Sequence, residues 1–198
     1  MTPTLETLMQ EVAKLHADHA ALATFCPFPK DVTQQRITPL KVASTDGMLR
    51  DTRLGDTPYK PLMDAMQACA DEVIWLEPYK GTALFDSHMK DFACFEIIGW
   101  NTPLASDHMR SFVIYQPPHQ HYPWHHHPAQ EIYVVLAGSA DFLLEGEPTQ
   151  RLHAGDHAFH PADRPHALTT TEDPVMAYVA WRDDFETFPV WTELETAQ

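Results

Sequence analysis

From residue 93 onward the chain runs in short β-branched and aromatic segments: FEIIGW (95–100), MRSFVIYQ (109–116), EIYVVLAG (131–138), ADFLLEGE (140–147), DHAFHP (156–161) and VMAYVAW (175–181). Turn-forming groups such as EGEP and AGD separate them at regular intervals. No other feature constrains the fold as strongly, because many short strands at such spacing close into a sandwich or a barrel. The first 90 residues have a different texture. Leu5, Leu8, Met9, Val12 and Leu15 recur at three- and four-residue spacing, which predicts a helix over 3–24 with Thr2 as cap and Pro3 in the first position. CPFPKD (26–31) ends it. The stripe Leu62, Met66, Cys69, Val73 predicts a second helix from Pro58 or Pro61 to about Glu72, and a short third is expected over 85–91. Residues 31–57 are polar, turn-rich and without a clear assignment. The expectation is a mainly β fold: a barrel over 93–182, an N-terminal α-helical and irregular layer over 1–92, and a solvated acidic tail over 183–198.

Composition narrows the function classes. With 198 residues, 44% hydrophobic and 21% charged, the chain can bury one substantial core. Its formal charge of −15 excludes nucleic acid as an expected partner, since phosphate binding needs clustered Lys and Arg, and disfavours an anionic membrane surface. The three cysteines, Cys26, Cys69 and Cys94, are odd in number and unclustered, which fits neither a disulfide framework nor a thiolate metal site. The N-terminus lacks the basic start and apolar run of a signal peptide, and no stretch approaches the length of a membrane span. A cytoplasmic protein acting on a small molecule is the expectation.

Nine of the 13 histidines fall between 119 and 166, and HYPWHHHPAQEIY (121–133) is the densest part. If this stretch is extended, side chains alternate faces, so His125, His127, Glu131 and Tyr133 share one face and His126 takes the other. Two imidazoles at i and i+2 with a carboxylate four residues on can converge on one divalent cation and leave positions open for water or substrate. The donor types suit Fe(II), Mn(II), Zn(II), Co(II) or Ni(II) alike, and one such ion per chain is expected. A surface histidine pair or hydrogen-bonded turn is the competing reading.

These residues carry a resemblance. His125-x-His127-x-x-x-Glu131, followed by Gly138, resembles the first motif of the cupins, and Gly155, Pro161 and His166 resemble the second, with a short hairpin around EGEPTQ between them. The resemblance implies a double-stranded β-helix (jelly-roll) barrel with the metal inside, held by His125, His127, Glu131 and His166. His119, Asp163 and Thr170 depart from the usual motif residues at non-ligand positions. Dimers are common among cupins, so the resemblance admits a homodimer, although no residue here encodes one.

A narrower resemblance follows. YPWHHHPAQEIYVVLAG, AGDHAFHPADRPHALTT and PVMAYVAWR are similar to segments of the bacterial cupin-type dimethylsulfoniopropionate lyases, and weaker similarity extends over 60–182. That family splits its sulfonium substrate by β-elimination into dimethyl sulfide and acrylate. The implied roles are a metal that polarises the substrate carboxylate, Tyr133 as the base for the α-proton, and Tyr122 as its helper. Trp124, Phe159, Tyr178 and Trp181 are candidate aromatic faces for the sulfonium through cation–π contact. The alternatives are another cupin metalloenzyme, such as an Fe(II) dioxygenase or isomerase, and a non-catalytic small-ligand binder. His121 is a pocket-rim candidate, His157 and His160 read as satisfied polar residues, and Arg110 reads as a surface ion-pair partner.

Overall fold

The computed structural model describes residues 1–55, 57–82, 86, 89–100 and 102–192. The helix expected over 3–24 is two helices, α1 (Pro3–Asp18) and α2 (Ala20–Phe25). Thr2 caps α1 as expected, its hydroxyl accepting from the Leu5 N–H. At His19 the backbone turns extended and the ring Nδ1 accepts from the Leu22 N–H at 3.3 Å, so the histidine caps a new helix instead of continuing the old one. After a two-residue strand β1 (Thr33–Gln34) come α3 (Thr45–Arg50), one 3-10 turn and α4 (Lys60–Ala68), the last ending short of the expected Glu72. Of the helix expected over 85–91, residues 85, 87 and 88 lie outside the described residues.

The strands begin with β2 (Trp75–Leu76), β3 (Ala93–Ile98), β4 (Leu104–Ala105) and β5 (Arg110–Gln116). They continue with β6 (His121–His126), β7 (Gln130–Leu144), β8 (Gln150–His153), β9 (His157–His160), β10 (His166–Thr169), β11 (Val175–Arg182) and β12 (Val190–Trp191). Their order is β1-β4-β3-β5-β11-β7-β10-β6-β12, with β2 on β3 and both β8 and β9 on β7. This is the double-stranded β-helix of the cupins, with helices covering one outer face.

EIYVVLAG and ADFLLEGE, expected as two strands, form the single strand β7. Its first half pairs with β11 and β9, and its second half pairs with β8 and β10. The bend falls at Gly138, whose φ is 72° and whose missing Cβ would lie 1.8 Å from the Pro174 carbonyl oxygen. Glycine bends the strand there without ending the ladder, since the Ser139 N–H still donates to Pro174 O. The expected tail is also corrected. Val190 and Trp191 pair with His126 and His125 of β6, and the Thr192 N–H donates to Trp124 O. Two exposed residues leave no periodic signal in the sequence.

The central strands read as nearly continuous apolar runs because both of their faces are buried. Val113, Tyr115, Ile132, Val134, Leu136, Tyr178 and Ala180 pack outward against Leu8, Val12, Leu15, Leu22 and Met66 of the helices. Phe112, Ile114, Tyr133, Val135, Val179 and Trp181 face the barrel interior. Each fully buried Leu or Val of the helical stripe contributes about 1.5–3 kcal/mol of transfer free energy.

A buried polar link runs through this apolar layer. The His16 Nδ1–H donates to Cys26 O at 2.6 Å, and its Nε2 accepts from the Tyr178 hydroxyl at 2.8 Å. Burial lowers the His16 pKa from 6.5 to about 4, the hydrogen bond to Cys26 opposing it only in part. The unfolded chain therefore takes up a proton near pH 6.5 while the folded chain resists until about pH 4. Stability is complete above pH 6.5 and falls by about 3 kcal/mol as the pH drops to 4. Urea denaturation should show this loss, and His16→Gln, which keeps a donor and an acceptor but does not titrate, should be flatter over the same interval by about that amount. An equal loss in the variant would assign the acid sensitivity to other groups.

Candidate active site

The site lies inside the barrel, where a cavity of about 400 Å³ is walled by residues of β3, β5, β6, β7 and β11. On β7, Glu131 and Tyr133 share the inner face, as strand parity requires. On β6 parity breaks. His125 pairs with His166, yet Tyr122 pairs with Leu168, so β6 carries one extra residue around Pro123. That bulge brings Tyr122 and His125, of opposite parity in sequence, into the same cavity. It also turns His121 away from the rim to Thr169, Nδ1 to Oγ1 2.7 Å. His126 faces outward and meets the Thr192 hydroxyl.

An unbroken extended segment from 125 to 133 is not what forms, because β6 ends at His126 and β7 starts at Gln130. His127 enters the site from the bend between them. Its Nδ1–H donates to Ala129 O at 3.0 Å, and the Asp163 N–H donates to the His127 carbonyl. His125 and His166 are anchored in the same manner, Nδ1–H to Pro123 O at 2.8 Å and to Arg164 O at 3.0 Å. A carbonyl only accepts, so each Nδ1 carries a proton, and in the neutral ring each Nε2 offers a free lone pair.

Those lone pairs converge. The ligand atoms of His125, His127 and His166 lie within 4.8 Å of one another, as do those of Glu131, His160 and His166. His127 Nε2 and His166 Nε2 are buried without a hydrogen-bond partner, and they stand 3.6 and 3.1 Å from Glu131 Oε2. Imidazole lone pairs facing a carboxylate oxygen in a dry site repel unless a cation lies between them. Three neutral imidazoles and one carboxylate, with backbone carbonyls fixing the ring tautomers, fit a divalent transition ion.

The electrostatics agree with this fit. Burial pushes the Glu131 carboxyl up, but positive charge and hydrogen-bond donation on the His127, His160 and His166 side outweigh it and hold the group well below the usual carboxylate range, so this point favours positive charge facing the carboxylate. Burial, reinforced by His166, keeps His125 neutral and lowers His160 to about 4. Tyr133 is pushed well above 10 by burial and then by Glu131, so without a cation it is a phenol. Tyr122 is raised by burial and by Tyr79; its ring stacks on His125 at 4.3 Å, and its hydroxyl lies 3.5 Å from that of Tyr79.

Of the four aromatic candidates only Trp181 lines the cavity. Phe159 is 45% exposed on the outer face, edge-on to Phe25, because it alternates with the inward His160. Tyr178 is one parity step from the interior and belongs to the layer under the helices. Trp124 sits half-buried beside the β6 bulge, outside the cavity wall. Arg110 is not a surface residue. It is 2% exposed, bonds Glu96 at 2.5 Å, and stacks on Trp100 at 4.4 Å from the ring centroid. Period two on β5, applied to Arg110, Phe112 and Ile114, was a sufficient signal for this wall. Tyr79, with a left-handed φ of 62° in a loop, had none.

Comparison with known proteins agrees with the geometry. The DMSP lyase (dimethylsulfoniopropionate lyase) family model matches residues 19–177. The chain is 43% identical to dimethylsulfoniopropionate lyase DddQ of Ruegeria pomeroyi over 190 residues, 96% of this chain and 94% of that one. The crystal structure of DMSP lyase DddQ from Ruegeria pomeroyi DSS-3 superposes with a TM-score of 0.90 at 42% identity, over 97% of this chain and 98% of that one. A chain from the crystal structures of the DMSP lyases RdDddP and RnDddQII gives 0.88 at 28% identity, over 96% and 98%. By a family match that spans most of its length and a relative matched nearly end to end, the chain belongs to the dimethylsulfoniopropionate lyase family.

Proposed function

We propose that the protein cleaves dimethylsulfoniopropionate to dimethyl sulfide and acrylate, with its chemistry in the 93–182 barrel and the 1–92 segment as a helical cover. The end-to-end match to DddQ carries this reading. The convergence of three carbonyl-anchored imidazoles and Glu131 beside Tyr133 supports its mechanism.

His125, His127, Glu131 and His166 would hold the ion, beside the cavity that His125 and Glu131 line. When bound, a divalent ion supplies the positive charge that polarises a carboxylate and favours a nearby phenolate. Tyr133 then takes the proton from the α-carbon. The C–H electron pair becomes the new C=C bond, the C–S bond breaks with its pair on sulfur, and dimethyl sulfide and acrylate leave. Tyr122, stacked on His125 and within reach of Tyr79, orients the phenol side of the cavity. Phe112 and Trp181 offer π faces toward the sulfonium end. Arg110 adds little net charge there, because Glu96 offsets it.

Chromatography of acrylate after incubating metal-loaded protein with dimethylsulfoniopropionate tests the activity. No acrylate with any divalent metal, or a strict need for O₂, refutes the reading. Tyr133→Phe should keep its metal while losing about 10²–10⁴-fold in turnover. Unchanged turnover removes Tyr133 as the base. His127→Ala should lower the metal content measured by elemental analysis, and full occupancy in that variant would overturn the ligand assignment.

A further inference from the structure

Glu131 occupies an unusual place among the strands. On one side its Cα partner is Trp181 of β11, and on the other it is His160 of β9. Three side chains thus stand in one row across three adjacent strands, all facing inward and all at most 5% exposed. The Trp181 indole N–H donates to Glu131 Oε1 at 2.6 Å, and His160 Nδ1 lies 2.9 Å from Oε2. A carboxylate only accepts, so His160 carries its proton on Nδ1.

This separates His160 from the other three imidazoles. Theirs spend Nδ1–H on backbone carbonyls and turn Nε2 inward; His160 spends Nδ1–H on the carboxylate itself. We infer that Trp181 and His160 are positioning residues that clamp Glu131 from both sides and hold Oε2 toward His127 and His166. The clamp rests on the metal-site reading above and assigns two residues outside the four expected ligands.

The physical argument is one of rotation and charge. A glutamate side chain has three soft torsions, and its carboxylate can swing away from the site unless both oxygens are tied. The indole bond fixes Oε1 against β11. The imidazole bond then fixes the carboxylate plane, which leaves a lone pair of Oε2 directed at the point the free Nε2 atoms share. Packing reinforces both donors. Trp181 lies 4.2 Å from the His127 ring, and His160 stacks on His166 at 4.1 Å, so each also touches a proposed ligand. Hydrogen-bond partners of this kind set metal affinity by about 10–100-fold.

The test uses Co(II) with the full chain, its Kd read by competition against a chromophoric chelator and its donor set by visible d–d absorption. Trp181→Phe, which keeps a ring and loses the N–H, and His160→Leu should each weaken Co(II) about 10–100-fold. The band pattern of the parent should persist. His160→Asn, whose amide nitrogen takes the place of Nδ1, should recover most of the affinity, which a merely structural role would not produce. Variants that bind as tightly as a metal-binding parent overturn the clamp and leave the site reading intact. A His160→Leu spectrum with one donor fewer makes His160 a ligand and also overturns it. A parent that binds no Co(II) refutes the site reading itself.

Discussion

The architecture depends on one strand serving two sheets. β7 carries Glu131 and Tyr133 in its first half, beside β9 and β11, and pairs with β10 in its second half, where His166 begins. The backbone passes between the halves at Gly138, pressed so closely on Pro174 that no side chain fits. Because β10 also pairs with β6, the same strand fixes the distance between Glu131 on one wall and His125 and His166 on the other. A barrel that closes this way brings the four proposed ligands, from three strands and one bend, into one buried region.

At that point the interior is polar in a controlled manner. Each of the three proposed ligand imidazoles is tied by a backbone carbonyl two residues away, so its orientation is set locally. What is left unsatisfied is a set of lone pairs directed at one another, which costs free energy in a dry cavity and is relieved by positive charge. The helical layer on the outside makes this affordable in stability: it buries the second face of β5, β7 and β11 and supplies apolar contact that the polar interior does not. His16 and Tyr178 form the polar seam between the two, which makes that layer sensitive to acid.

Much of this was legible in the sequence, and for identifiable reasons. His125, His127 and Glu131 stand at ligand spacing, and Tyr133 follows Glu131 by the two residues that keep it on the same face. His125, Glu131 and Tyr133 line one cavity, and His127 Nε2 stands 3.6 Å from Glu131 Oε2, even though the segment between them is bent. His160 reads in the sequence as a satisfied polar residue, because its place beside Glu131 depends on which residue lies across from it on β7, a matter of register. Phe159, Tyr178 and Trp124 are cavity candidates by their chemistry alone, and alternation or the β6 bulge turns them elsewhere. Arg110 taken alone reads as a surface charge, but its parity with Phe112 and Ile114 puts it on the inner wall, where Glu96 of β3 offsets it.

By itself, then, the sequence determined the barrel, the helical cover, the proposed ligand types and the Glu131–Tyr133 pair, because alternation and short-range spacing are encoded in consecutive residues. Tertiary structure alone decided the bend at Gly138, the bulge that brings Tyr122 to His125, the return of Val190–Trp191 to β6, and the row Trp181–Glu131–His160. These are contacts between segments far apart in the chain. Their register is set by how the strands pair and pack together, and no local pattern of residues records it.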